Sequence, residues 1–211
     1  MDTDSLPDHI VYSHNVIEFV TVAAETCLFL EHTAEFSTND FIQKSTKILP
    51  LLYLKALLVE KPQAVFEDAP EKFVNEEDYQ FVREQIETLL GVDDSYLEVF
   101  HPDMALSDTP IAAFVSENMA DIYQELKDFA ANYQLGDIDI MNDALVACID
   151  AFGEHWGQKT LNALRALHAL YFSEGFAAAA NEGINVSSDH IDRNSFLKFQ
   201  NEDEEDFSNL L

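Results

Sequence analysis

The sequence predicts an all-α fold, a single bundle of about six helices followed by a disordered or loosely ordered acidic tail. Three observations carry this reading. Apolar residues recur at helical spacing along nearly the whole chain up to residue 183. No apolar-polar alternation is long enough for a half-buried strand, and no Asn-Gly hairpin signal occurs. The apolar fraction of 47% with only six Gly and six Pro excludes a wholly disordered or low-complexity chain. The 211 residues divide into an N-terminal arm (1–12), a bundle (13–183) and an acidic tail (184–211). A domain of that size buries roughly 70% of its unfolded surface and needs no covalent staples.

The first helix spans about His14 to Glu31, with Ser13 as its N-cap and Val16, Phe19, Val20, Ala23, Cys27 and Leu30 on one stripe. The second starts after Thr38 or Asn39 and reaches about Glu60. Pro50 lies inside it, so a kink or break near Leu49 is expected. Its leucines (Leu49, Leu51, Leu52, Leu54, Leu57, Leu58) are dense enough to predict an interior helix. After a loop over 63–74, Asn75 caps a third helix whose first turn carries Glu76, Glu77 and Asp78, at the positive end of the helix dipole. Gly91 stops it. A short helix and a turn are expected over 92–107.

Asp108-Thr109-Pro110 reads as the start of the fourth helix. Val115, Met119, Ile122, Leu126, Phe129 and Tyr133 form its heptad-like seam, and Gly136 closes it. Asp137 to about Asn181 is helical again, divided near Gly153 and Gly157. Composition changes beyond Gly183: the tail holds seven acids against Arg193 and Lys198.

Eleven Lys and Arg against 40 Asp and Glu give a net charge of −29. That opposes direct binding to nucleic-acid phosphates or to an anionic membrane. The first nine residues carry −3 and the tail −5, so about −21 belongs to the body. On the fourth helix Glu117, Asp121, Glu125 and Asp128 step along one side, predicting a solvated acidic face that a protein with a basic surface could dock against. Two cysteines, Cys27 and Cys148, sit in apolar patterns and read as buried thiols, not a disulfide scaffold. The start Met1-Asp2-Thr3-Asp4-Ser5 lacks a secretory pattern. No run reaches the ~20 apolar residues of a membrane span. A cytoplasmic location is expected.

Complete catalytic sets are missing. Glu98-Val99-Phe100-His101 has the Glu-x-x-His spacing of di-metal bundles, but it stands alone and Pro102 ends its helix. Glu84-x-x-Glu87 and Glu125-x-x-Asp128 resemble the magnesium motifs of helical nucleotide pyrophosphohydrolases, yet 37 residues intervene where that family has one short turn. Gly157-Gln158-Lys159-Thr160 fails as a phosphate loop because Gln158 splits the Gly-Lys pair and no strand precedes it. No metal site or cofactor is expected. The most suggestive cluster is Trp156, Arg165 and His168, which could line a pocket for an anion.

Three strings carry a family resemblance: Leu49-Pro50-Leu51-Leu52-Tyr53-Leu54-Lys55-Ala56, then Ala120-Asp121-Ile122-Tyr123-Gln124-Glu125-Leu126-Lys127-Asp128-Phe129, and Trp156-Gly157-Gln158 with Ala163-Leu164-Arg165-Ala166-Leu167-His168. From about Val11 to Phe172 the chain resembles a bacterial all-helical family known as a domain of unknown function. The resemblance implies a fold and no catalytic residue. The leading functional expectation is a non-catalytic binding or adaptor protein. A metal-dependent helical nucleotide pyrophosphohydrolase and a nucleic-acid mimic that occupies a basic protein are the alternatives.

Overall fold

Six helices stand where periodicity and caps place most of them, in a computed structural model that describes residues 8–98, 111–174 and 176. Helix α1 (His14–Glu31) starts where Ser13 Oγ accepts the Val16 amide. Helix α2 (Thr38–Leu57) is capped by Ser37. It runs through Pro50 without a break, forgoing the one backbone hydrogen bond that proline cannot donate. The expectation of an interior α2 is corrected. Phe41, Ile42, Leu49, Leu52 and Ala56 enter the core, while Leu51, Leu54, Leu57 and Leu58 are exposed on the opposite side. A helix can bury only the stripe its neighbours cover, whatever its overall apolar content.

Helix α3 (Glu76–Leu90) opens with a capping box, in which Asn75 Oδ1 accepts the Asp78 amide and Asp78 Oδ2 accepts that of Asn75. It ends at Gly91, whose φ of +56° suits glycine. The expected short helix and turn are replaced by a 3-10 turn over Gly91–Asp94 and a two-stranded ribbon. Strand β1 (Ser95–Leu97) pairs antiparallel with β2 (Ala112–Phe114), Tyr96 opposite Ala113. Three residues a side are too few for alternation to be read from sequence. Residues 99–110, including Asp108-Thr109-Pro110, lie outside the described residues. Helix α4 (Val115–Gln134) begins beyond that expected start. Its cap comes from a distance: buried Asp94 accepts both the Ser116 amide and hydroxyl at 2.7 Å.

Helix α5 (Ile138–Ala151), capped by Asp137, passes through a π-helical turn over Phe152–Trp156 into α6 (Gly157–Tyr171). The glycine pair thus marks a bulge between two helices. Helix α6 ends at Tyr171, residues 174 and 176 are helical again, and the rest of the stretch up to the expected Asn181 lies outside the described residues. At the centre, Phe19 stacks on Phe129 with centroids 5.3 Å apart and on Trp156 at 6.4 Å, joining α1, α4 and the π-turn.

Of the arm expected over 1–12, residues 1–7 lie outside the described residues and Ile10–Tyr12 form a 3-10 turn against the bundle. Val11 is fully buried and its carbonyl accepts the Tyr133 hydroxyl at 2.6 Å, so the chain joins the bundle before residue 13. The tail expected over 184–211 lies outside the described residues.

A Cβ on Gly157 would lie 2.4 Å from the Phe152 carbonyl oxygen, whereas one on Gly153 meets nothing within 4 Å. Gly157→Ala should lower stability by about 1–3 kcal/mol through forced overpacking of the π-turn. Gly153→Ala should leave stability unchanged or raise it by about 0.4–1 kcal/mol. Urea melts of the two variants check the contrast.

Candidate functional site

The three residues expected to line an anion pocket do not meet. Trp156 is fully buried in the aromatic stack, and its indole N–H donates to the Cys148 carbonyl at 2.9 Å. Arg165 and His168 are exposed, and the His168 ring lies 4.7 Å from that of Phe172. Nine residues separate Trp156 from Arg165, about half a turn in net rotation, so the two point to opposite sides of α6.

The acidic row on α4 is corrected as well, because it turns inward along its length. Glu117 is exposed, the Asp121 and Glu125 side chains are about one-fifth exposed, and that of Asp128 only 6%. Each inward acid has partners. Asp121 accepts the Tyr79 hydroxyl at 2.9 Å and lies 3.0 Å from Lys159. Burial, reinforced by the Asp121 charge, pushes the Tyr79 phenol above its ordinary range. Asp128 Oδ1 accepts two successive amides, Phe73 at 2.7 Å and Val74 at 2.9 Å. Its Oδ2 makes no hydrogen bond and has only the ammonium of Lys72, 3.2 Å away.

Those amides belong to a long strap, residues 58–75, which joins α2 to α3 with no regular structure of its own. Asp143 on α5 holds its first half, accepting the Val65 and Phe66 amides at 2.7 Å each. Asn142 donates to the Gln63 carbonyl and Asn132 to that of Glu71. Burial pushes the Asp143 carboxyl up, but the Val65 amide, Asn142 and the Phe66 amide outweigh it and hold the group below the usual aspartate range.

The strap roofs a cleft of about 310 Å³ against α4, α5 and the π-turn. Its floor is apolar, with Phe129, Ala144, Ala147 and Ala151. Acids surround the floor: Glu71 from the strap, Glu125 and Asp128 from α4, Asp150 from α5 and Glu154 from the π-turn. Lys72 lies 3.7 Å from Glu125 across the opening, and Lys61 holds Asp150 at 2.6 Å. Among the described residues Glu71 and Glu154 have no ion-pair partner.

This site was not read from sequence, although a signal existed. Asp128 and Asn132 lie one turn apart beside the α4 seam, and Asn142-Asp143 interrupt an apolar α5. Polar residues at core positions need partners, and an irregular segment of this length supplies unpaired backbone groups.

The other motifs assemble no chemistry. Glu87 pairs with Arg83 at 2.7 Å while Glu125 and Asp128 face Lys72, and no group of three or more metal-ligating side chains forms among the described residues. Glu98 accepts from Asn162, whereas His101 lies outside the described residues. Cys27 and Cys148 are buried thiols, and burial pushes Cys27 up to about 12. No described helix is long and apolar enough to cross a membrane.

Among known proteins, the family described as a domain of unknown function (DUF5063) matches residues 10–173. A crystal structure of protein BF1032 from Bacteroides fragilis is similar, at 42% identity and a TM-score of 0.71, over 78% of this chain and 97% of that one. No curated protein matches.

Removing the Asp128 carboxylate orphans two strap amides. Asp128→Ala should therefore lower stability by about 3 kcal/mol or more in a urea melt, and Asp128→Asn, which keeps an acceptor, by clearly less. Because the folded-state pKa of Asp143 is depressed, its contribution is intact above its unfolded value of about 4 and is lost as pH falls through the lower folded value. Amide exchange at Val65 and Phe66, corrected for intrinsic rates, should accelerate only in that acid range. Asp143→Asn should accelerate it at neutral pH.

Proposed function

We propose that this chain, which belongs to the DUF5063 family, is a non-catalytic cytoplasmic binding protein whose acid-lined cleft receives lysine or arginine side chains from a partner with a basic surface. One observation carries the reading. The cleft already holds a lysine: the Lys72 ammonium sits between Glu125 and Asp128 over an alanine and phenylalanine floor. A partner's side chain would lay its methylene stem on that floor and its charge among the same acids. Glu71 and Glu154, without cations of their own among the described residues, supply the complementary charge. The Asp128 oxygen that accepts no hydrogen bond supplies an acceptor.

The fixed acids favour this role over solvent display. Their positions are set by helices and by the tethered strap, so a cation binds without ordering its acceptors first. The strongly negative body adds long-range attraction, which raises association rates with basic partners and weakens with salt.

The test uses full-length protein and a fluorescent peptide alternating arginine and glycine, read by anisotropy near physiological salt. Glu71→Gln/Glu154→Gln should weaken binding about fivefold or more. Glu76→Gln/Glu77→Gln, on the exposed first turn of α3 and equal in charge removed, should change it less than about twofold. Equal losses in the two pairs would mean undirected attraction to an acidic surface and would overturn the reading.

A further inference from the structure

Two helices depart from the acidity of the rest. Helix α2 carries Lys44, Lys47 and Lys55 against Asp40, and α6 carries Lys159 and Arg165 against no acid, so each is +2. Helices α1, α4 and α5 are each −3, and α3 is −4. The two basic helices are also neighbours. They pack against each other, and the Tyr53 and Phe152 rings, 5.0 Å apart, set the second half of α2 beside the start of α6.

Their outer surface joins this positive charge to exposed apolar side chains. On α2, Lys47, Leu51, Leu54 and Leu58 step by 4, 3 and 4. On α6 and just past its end, Leu161, Arg165, His168 and Phe172 step by the same intervals. Leu54 is 51% exposed, Leu57 59% and Phe172 70%. Lys159 and Asn162 reach Asp121 and Glu98 on the other flank of α6, which leaves the Leu161 row on the α2 side. Lys55 is held by Glu18, whereas Lys47 and Arg165 have no ion-pair partner among the described residues. Exposed apolar side chains on two adjoining helices, edged by unpaired charge of one sign, suit docking of a segment of opposite sign.

Such a segment exists in the same chain. Glu202-Asp203-Glu204-Glu205-Asp206 is five acids in succession, and Phe207, Leu210 and Leu211 follow. We propose that residues 202–211 dock on the α2/α6 surface, the acids toward Lys47 and Arg165 and the apolar residues on the leucine and phenylalanine rows. The other four helices, all net negative, repel this segment. Twenty-five residues lie between Phe176 and Glu202, ample to cover the roughly 22 Å length of α6. Tethering gives even a weak contact an effective concentration on the order of millimolar.

The test keeps the whole chain. A benzophenone is attached at Ser208→Cys. Cys27 and Cys148 are buried with thiols pushed far up, so the label goes to the introduced site at neutral pH. Photolysis should give intrachain crosslinks to residues of α2 and α6, in a yield independent of protein concentration. Lys47→Glu/Arg165→Glu should cut that yield about fivefold, and adding Glu204→Lys/Glu205→Lys should restore it. Raising salt to about 0.5 M in the unreversed protein should also lower it, which checks the electrostatics without altering any residue of the bundle. Crosslinks elsewhere, no crosslinks, or a yield indifferent to charge reversal would overturn the proposal. Interchain products growing with concentration would assign the surface to a second copy and overturn it too. Glu71→Gln/Glu154→Gln should leave the crosslinks unchanged, so this proposal and the cleft reading fail separately.

Discussion

The capture of backbone amides by buried carboxylates is the constraint on which the rest of the structure depends. The strap between α2 and α3 has no ladder of its own, and its amides would be left without partners wherever it meets the bundle. Asp128 takes two of them and Asp143 another two, while Asn132 and Asn142 donate to strap carbonyls. A carboxylate between two amides is a charge-assisted arrangement, stronger than neutral pairs of the same length. It defines the cleft as well, because the strap forms one wall and Asp128 contributes to another. Stability and the candidate site are thus the same set of contacts.

The distribution of charge has a second consequence. A net −29 suggests a uniformly repelling surface, but the helices divide it unevenly, with α2 and α6 positive and the other four negative. Within the acidic part many carboxylates are already engaged: Glu31 by Tyr123 and Lys127, Asp121 by Tyr79 and Lys159, Glu18 by Lys55. Among the described residues the cations without an ion pair, Lys44, Lys47 and Arg165, therefore all lie on α2 and α6, apart from the uncompensated acids of the cleft. A partner meets a polarised molecule, not an evenly acidic one.

Local signals proved readable where the responsible atoms are close in sequence. Ser13 and Asn75 cap the helices they precede, and Gly91 and Gly136 end helices with positive φ, because capping is settled within about four residues. The α4 seam was readable for the same reason, as period alone decides which side of a helix is apolar. The start of α4 was not, since its cap is Asp94, twenty-two residues earlier, on the far side of a ribbon too short to show a period. Asp128 and Trp156 were misplaced by a related failure. Spacing assigns residues to a side of a helix but does not say whether that side meets solvent, a strap or an aromatic stack.

By itself the sequence determined that this protein is all-α, where most of its helices begin and end, that its thiols are buried, and that its body rather than its ends carries most of the charge. These follow from short-range backbone hydrogen bonding and from apolar periodicity, both written in neighbouring residues. Only the tertiary structure decided which leucines of α2 are covered and that Trp156 points away from Arg165 and His168. It alone showed that the acids of α4 serve a loop more than fifty residues earlier. Those outcomes depend on which elements become neighbours. Burial of a polar group becomes favourable only when a distant backbone arrives to satisfy it.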